Sequence, residues 1–272
     1  MPELPEVETI RASLHPLVVG RVVDRVELRS PRLRLPLDAG LALAVAGRRV
    51  SGTSRRGKYL MLDLDDGRSW FFHMGMSGRL RFEEGAGLVG AKHDHVIAHF
   101  RGGGGLVFHD PRRFGLTLVD DASTCRLLEG MGPEPLDREH FHAEYLATFR
   151  RRTRRSAKDV LMDQRVVAGL GNIYVNEILF RAGVRPRRAM PRTTLEECAR
   201  MVEATRDVIA TAIRERGSTI SDFVDGTGRR GGYQGHHMVY DRRGEPCPRC
   251  AAAIRCVVVG QRSSFYCPSC QR

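Results

Sequence analysis

The sequence predicts an α+β multidomain fold: an N-terminal antiparallel β-sandwich that opens with a helix, then a helical domain, then a small C-terminal β-hairpin. Three patterns carry this. Short alternating or apolar runs bounded by turn residues occupy Val18 to Val119, apolar residues recur at helical spacing between Ser156 and Arg216, and two Cys-Pro-x-Cys pairs lie at the end. At 272 residues and 42% apolar content, the chain can form two ordinary domains with cores of their own.

The elements follow in order. Pro2 and the acidic Glu3, Glu6 and Glu8 suit a helix N-terminus, and Val7, Ile10 and Leu14 give that helix an apolar stripe. Strands are expected near Val22 to Leu28, Tyr59 to Leu64, Val96 to Phe100 and Leu106 to Phe108, with Asp65-Asp66-Gly67 and Gly102 to Gly105 as turns. This makes a sandwich of roughly one hundred residues. Met131-Gly132-Pro133-Glu134-Pro135 breaks the pattern, and the polar stretch after it reads as a hinge. Helices are expected over Ser156 to Val167, over Asn172 to Ala182 with Asn172 as N-cap and Gly183 as stop, and over Thr194 to Arg216. The last has a capping box in Thr194 and Glu197 and stops at Gly217. The expected domains are therefore 1–133 (catalytic sandwich), 134–152 (hinge), 153–228 (a helix-two-turn-helix domain with a loop at its end) and 229–272 (the cysteine module). Gly226-x-Gly228-x-x-Gly231 matches a dinucleotide fingerprint in letters only, since it follows no buried strand and opens no helix; it reads as a mobile loop.

Charge narrows the partner. Lys and Arg outnumber Asp and Glu by 44 to 32, a net charge of +12, which points to a polyanion. An anionic membrane is the competing reading, but the sequence has no long apolar run, signal peptide or lipidation motif. A soluble, cytoplasmic, monomeric protein is expected. Seven cysteines is an odd count, and only four are paired in spacing, which argues against a secreted disulfide scaffold.

Several groups carry chemistry. Removal of Met1 frees the secondary amine of Pro2, whose pKa of about 7.7 to 8.0 leaves a nucleophilic fraction near neutrality. Glu3, one residue away, can donate a proton. An ordinary helix start is the plainer account, and both can hold together. Cys247, Cys250, Cys267 and Cys270 have the spacing of a tetrahedral zinc site with no open position, so one structural zinc is expected in a zinc-finger β-hairpin. Gly260-Gln261-Arg262-Ser263 between the pairs forms a turn that presents Arg262 to a phosphate, although taken alone Arg262 reads better as a solvated loop cation. Cys256 reads as a small core residue. Gly169-Leu170-Gly171-Asn172 joins two helices and aims a helix N-terminus at a phosphate, or is simply a connection. Arg150 to Arg155 holds five arginines in six residues, Arg152 among them, and suits a nucleic-acid backbone. Met76, Arg112 and Phe114 sit on glycine-flanked turns, poor places for a core and good ones for a wedge between base steps.

Across Pro2 to Gln271 the sequence resembles the bacterial formamidopyrimidine-DNA glycosylases, of the wider family shared with endonuclease VIII. The resemblance is carried by Pro2-Glu3-Leu4-Pro5-Glu6-Val7-Glu8-Thr9, Arg56-Gly57-Lys58-Tyr59, Lys92-His93-Asp94-His95, Asp110 to Gly115, Gly171-Asn172-Ile173-Tyr174 and the cysteine pairs. It implies excision of oxidised purines, such as 8-oxoguanine and formamidopyrimidines, from double-stranded DNA, followed by nicking of the abasic site. The implied mechanism turns the damaged nucleotide out of the stack. Pro2 then forms a Schiff base at the sugar, Glu3 opens the sugar ring, Lys58 assists β-elimination, and Arg262 contacts the flanking phosphate and serves the δ-elimination. Glu6 matches a supporting carboxylate. Met76, Arg112 and Phe114 match the residues that fill the hole left by the flipped base, with Arg112 facing the opposite cytosine, and His93, Lys158 and Asn172 match phosphate or lesion contacts. Ser218 to Gln234 matches the loop that closes over the extruded base. The sequence departs from the family at Asp241, where glycine is usual, and at the pair His236-His237. An endonuclease VIII-like enzyme for oxidised pyrimidines and a catalytically silent DNA binder are the alternatives. Leu4 and the Arg112-Arg113-Phe114 turn favour the purine enzyme, and intact Pro2, Glu3 and Lys58 disfavour the silent binder.

Overall fold

A computed structural model describes residues 1–37, 39–85, 88–220 and 223–272. The chain divides into two compact units. The first comprises Met1–Glu129 and Glu215–Gly232, and the second Gly130–Arg214 and Tyr233–Arg272.

The first unit is the expected sandwich. Helix α1 (Leu4–Val18) precedes two four-stranded antiparallel sheets. One has the order β1 (Val23–Leu28), β6 (Asp94–Phe100), β7 (Gly105–His109), β5 (Arg79–Glu83). The other has the order β2 (Val50–Arg56), β3 (Tyr59–Leu64), β4 (Ser69–His73), β8 (Leu116–Asp120). Strand alternation sorts the side chains. Leu60, Leu62 and Leu64 of β3 and Trp70 and Phe72 of β4 join Val96, Ala98 and Phe100 of β6, Phe108 of β7 and the stripe Val7, Ile10, Leu14 of α1 in one core. The opposite parity, Met61 and Phe71, forms a second cluster with Cys125, covered by Ala122, Leu127 and Leu128. Each large side chain buried in this way contributes about 1.5–3 kcal/mol. A short helix, α2 (Ala39–Val45), interrupts what the sequence reads as continuous β structure. Its run Ala39-Gly40-Leu41-Ala42-Leu43-Ala44-Val45 buries Leu41 and Val45 at i, i+4, a spacing hidden among small residues.

The second unit is helical with a terminal hairpin. Residues 134–152, expected as a hinge, include helix α3 (Ala143–Arg152), which buries Leu146 and packs on the long helix α6 (Leu195–Arg214). The expected capping box is present, with Thr194 N donating to Glu197 at 2.7 Å and Glu197 N donating to Thr194 at 3.0 Å. Helix α4 (Ala157–Met162), capped by Ser156, is shorter than the expected 156–167. Gln164 is the reason: its side chain accepts from Gly169 N at 2.8 Å and donates to Met162 O at 3.1 Å and Leu170 O at 2.9 Å, which organises a double turn in place of further helix. Helix α5 (Asn172–Ala182) follows and ends at Gly183, which adopts the left-handed conformation with φ 73°. Its N-cap is Gly171, so Asn172 is the first helical residue and not the cap. Strands β9 (Arg255–Val259) and β10 (Arg262–Tyr266) form the hairpin. The segment Glu215–Gly232, read as an extension of the helical domain, clusters instead with the first unit. Among the described residues no helix is long and apolar enough to cross a membrane.

Candidate active site and nucleic-acid interface

Pro2 and Glu3 stand at the start of α1. Glu3 is the N-cap and only 2% exposed, Pro2 before it is partly exposed, and Glu3 and Glu6 form a capping box. Glu3 N donates to Glu6 Oε2 at 2.8 Å. The other Glu6 oxygen, Oε1, accepts from Ser218 N at 2.7 Å. The carboxylate therefore ties the residue beside Pro2 to the start of the Ser218 to Gln234 segment. Gly217 is required at the tie, because its φ is +76° and a Cβ there would stand 2.7 Å from Glu6 Oε1. Farther along, Gly226 N donates to Ser13 at 3.0 Å and Phe82 N donates to Gly226 O at 2.9 Å, so the glycine-rich segment read as a mobile loop is docked on α1 and β5. Buried Asp225 organises its turn, accepting from Thr227 N at 2.8 Å, from Arg229 N at 3.0 Å and from Arg216. Residues 221 and 222 of this segment lie outside the described residues.

Lys58 occupies the two-residue turn between β2 and β3, after Gly57, and is 7% exposed. A relay reaches it from α1. Glu8 accepts from Arg55 at 3.1 Å, and Arg55 donates to Gly57 O at 2.9 Å. Beside it, His73 accepts from Gly75 N at 3.0 Å through Nδ1. Burial, then the charges of Lys58 and Arg34, lowers the His73 pKa to about 4, which keeps the ring neutral near neutrality. The sequence marks His73 only as the first residue of the glycine-flanked stretch His73 to Gly78, and its place at the end of β4 beside Lys58 emerges with the fold.

The three expected wedge residues lie on two turns that lock together. Buried Asp110 accepts from Ser77 of the first turn at 2.6 Å and from Gly115 N of the second at 2.7 Å. Gly75, at φ +58°, lets the turns touch, since a Cβ there would meet the Phe114 carbonyl carbon at 2.4 Å. Met76 and Phe114 stay 44% and 47% exposed, and the Arg112 guanidinium lies 4.8 Å from the Phe114 ring centre. His93 adopts a positive φ of 72°, and its ring contacts those of His95 and His109.

In the second unit, α4 and α5 grip the hairpin. Lys158 is fully buried; its Nζ donates to Ser263 O at 3.0 Å and Ser264 Oγ at 2.6 Å. Asn172 donates to the same Ser263 O at 3.1 Å. Both residues, expected to meet DNA, here hold the strand that carries exposed Arg262. Arg152, the last residue of α3, is exposed, with its guanidinium 5.8 Å from the Phe149 ring centre.

The sulfurs of Cys247, Cys250, Cys267 and Cys270 lie within 4.8 Å of one another. The Cys247–Cys270 and Cys250–Cys267 separations are 3.9 and 3.4 Å, near the edge of about 3.8 Å that a tetrahedron with zinc–sulfur bonds of about 2.3 Å requires. Arg249 N and Cys270 N donate to the sulfurs of Cys247 and Cys267, each at 3.4 Å, as suits thiolate ligands. Burial, then the three neighbouring thiols, pushes Cys270 up to about 12; crowded thiols behave so until a cation favours their thiolates. The donor set fits one structural zinc, and Cys256 lies outside it, half-buried against the module's small core.

Known proteins share this arrangement. Residues 1–117 match the formamidopyrimidine-DNA glycosylase N-terminal domain, residues 131–224 the H2TH domain of the same enzymes, and residues 244–272 the zinc finger found in FPG and IleRS. The formamidopyrimidine-DNA glycosylase of Thiobacillus denitrificans is 47% identical over 273 residues, covering 100% of both chains. The crystal structure of the MutM (Fpg) protein from Thermus thermophilus superposes with a TM-score of 0.88 at 38% identity, covering 99% of this chain and 98% of that one. Wild-type Lactococcus lactis Fpg (MutM), solved with N7-benzyl-Fapy-dG containing DNA, superposes with a TM-score of 0.91 at 32% identity over 100% of both chains. The Lactococcus lactis protein has also been solved with abasic-site DNA. The chain belongs to the formamidopyrimidine-DNA glycosylase family.

Proposed function

We propose that the chain is a bifunctional DNA glycosylase and abasic-site lyase of base excision repair that removes oxidised purines, 8-oxoguanine and formamidopyrimidines, from double-stranded DNA. The observation that carries this reading is the held N-terminus: Glu3 caps α1 next to Pro2, and Glu6 fixes Glu3 by a 2.8 Å bond from its backbone. An amine used as a nucleophile needs such restraint, because alignment with the target carbon supplies much of the rate.

With Met1 removed, the Pro2 nitrogen attacks C1′ of the flipped nucleotide, the bond from C1′ to the base breaks as the base leaves with the proton lost by the amine, and the ring-closed aminal so formed becomes the iminium when its C1′–O4′ bond breaks. Glu3 gives its proton to the sugar ring oxygen as the ring opens. Lys58 assists loss of the 3′ phosphate by β-elimination, and Arg262 steadies the second phosphate for δ-elimination. Met76, Arg112 and Phe114 fill the vacated stack, with Arg112 toward the opposite cytosine, which offsets part of the few kcal/mol that unstacking costs. His93, Arg152, Lys158 and Asn172 serve the DNA backbone, Lys158 and Asn172 by holding the Arg262 hairpin. The enzyme acts as a cytoplasmic monomer in this reading, and zinc stiffens the hairpin without entering the chemistry.

Borohydride reduction of the protein on a duplex containing 8-oxoguanine opposite cytosine should leave a covalent protein–DNA adduct. Binding without adduct would point to a silent binder, and preference for thymine glycol duplex to a pyrimidine enzyme. Intact-mass measurement should show loss of Met1. An active preparation that retains it would move the nucleophile to Lys58 or another amine.

A further inference from the structure

Two neighbouring residues of α5 are buried and polar, and neither belongs to the chemistry above. Asn176 and Glu177 are both 0% exposed. Asn176 Oδ1 accepts from Phe265 N of β10 at 2.7 Å, three residues beyond Arg262. Glu177 accepts three consecutive backbone N–H groups, from Met238 at 2.9 Å through Oε2 and from Val239 and Tyr240 at 3.0 and 2.8 Å through Oε1. The segment 238–240 leads directly into the zinc module, and its Tyr240 ring packs on Phe265 with centroids 5.3 Å apart. Burial raises the Glu177 carboxyl above the ordinary range, and the three N–H groups pull it back in part. Three donors to one carboxylate fix the direction of a segment more tightly than apolar packing does, because each bond has a preferred line.

We propose that Glu177 is a positioning residue: it clamps the 238–240 segment to α5 and so sets the aim of the zinc module and its Arg262 relative to the α5 N-terminus. Zinc closes the module on itself, whereas Glu177 and Asn176 orient it on the helix pair. The inference rests on the reading above only in taking Arg262 as a phosphate contact.

The test is a double-mutant cycle on the full zinc-loaded chain, with a duplex carrying a non-cleavable abasic analogue. Arg262→Ala should weaken binding and lower the slope of log affinity against log salt by about one. Glu177→Gln preserves shape but turns an amide NH2 toward backbone donors; it should weaken binding about tenfold, lower the slope similarly, and leave zinc content unchanged. In the Arg262→Ala background, Glu177→Gln should add little. Full additivity, or unchanged affinity in a folded Glu177→Gln variant, would overturn the proposal. If that variant does not fold, hydrogen exchange of the unaltered protein decides: amides 238–240 should be protected like the interior of α5, and exchange as fast as an open loop would overturn the clamp. Absence of a borohydride-trapped adduct with the unaltered protein would sink the glycosylase reading alone, since the clamp is read by binding.

Discussion

The carboxylate of Glu6 makes the most directly testable tie in the first unit, and it is only 2% exposed to solvent. It accepts from Glu3 N at 2.8 Å and from Ser218 N at 2.7 Å, with one oxygen for each. Glu6→Gln keeps volume and one carbonyl oxygen, but sets an NH2 group against whichever backbone N–H it faces. A hydrogen bond to a charged group contributes about 1.5–3 kcal/mol, and a buried donor left without a partner costs about 1–3 kcal/mol. The sum is about 3 kcal/mol after allowance for relaxation, which corresponds to about 6–12 °C in the melting temperature at roughly 2–4 °C per kcal/mol. Thermal unfolding followed by circular dichroism measures it. Gly217→Ala should break the same tie from the other side, since its Cβ would stand 2.7 Å from Glu6 Oε1. Two substitutions that remove one interaction are non-additive, so the double variant should lose clearly less than the sum of the single losses. The borohydride-trapping rate should fall with the melting temperature in Glu6→Gln, because Glu3 loses its anchor. A melting shift below about 2 °C, less than about 1 kcal/mol, with an unchanged trapping rate would refute the tie.

Three further outcomes are expected. His73 stays neutral in the folded chain, with a pKa of about 4, while the unfolded chain takes up its proton near 6.5. Its contribution is whole above about pH 6.5 and is lost as pH falls toward 4, at up to about 1.4 kcal/mol per unit; urea unfolding across roughly pH 4.5–7.5 should show this slope flattened in His73→Phe. Asp225 follows the same sign at lower pH from a different cause: burial would raise its pKa, but the bonds from Arg229 N, Thr227 and Arg216 outweigh burial and lower it. The Asp225→Asn penalty should thus be full above about pH 3.8 and fade below it, as read by acid titration of stability. Chelation of zinc should reduce duplex affinity more than about tenfold, measured by fluorescence anisotropy with metal content followed in parallel, and full affinity in metal-free protein would contradict the assignment.

Local signals in the sequence are recovered where the chain decides its own structure. Tyr59 to Leu64 is a strand at the expected residues, and Thr194 and Glu197 cap their helix as their spacing requires. The cysteine pairs converge because two tight turns place two sulfurs each, with no distant partner needed. Where a distant residue decides, the sequence is silent. Asn172 has the side chain of an N-cap, but Ser263 O attracts it away from its own backbone. Lys158 looks like a surface cation, yet its ammonium lies among the hairpin's oxygens. The polar stretch after Pro135 hides α3 because Leu146 alone of that helix is buried, too few apolar positions to show a period. Glu177 could not have been singled out, since its three donors lie more than sixty positions away.

These ties share a logic that bears on the substrate. The chain carries a net charge of +12, and a surface carboxylate facing a phosphate backbone would work against it. Glu3, Glu6, Asp94, Asp110, Glu177 and Asp225 are all at most 3% exposed. A buried carboxylate is costly unless its oxygens are filled. Five of these six meet that need with backbone N–H groups of turns or chain ends: Glu6 with Glu3 and Ser218, Asp94 with Ala91, Asp110 with Gly115, Glu177 with 238–240, and Asp225 with Thr227 and Arg229. The segments so fixed are those that carry Pro2, His93, Met76 and Phe114, the glycine-rich segment on α1, and the approach to the zinc module. In the proposed DNA-binding role, these six carboxylates are kept off the surface and used to hold irregular backbone in place. Arginines such as Arg112, Arg152 and Arg262 stay exposed. A substitution that returns one of these carboxylates to solvent should therefore weaken DNA binding twice over, through lost geometry and through added repulsion, and only the second effect should vanish at high salt.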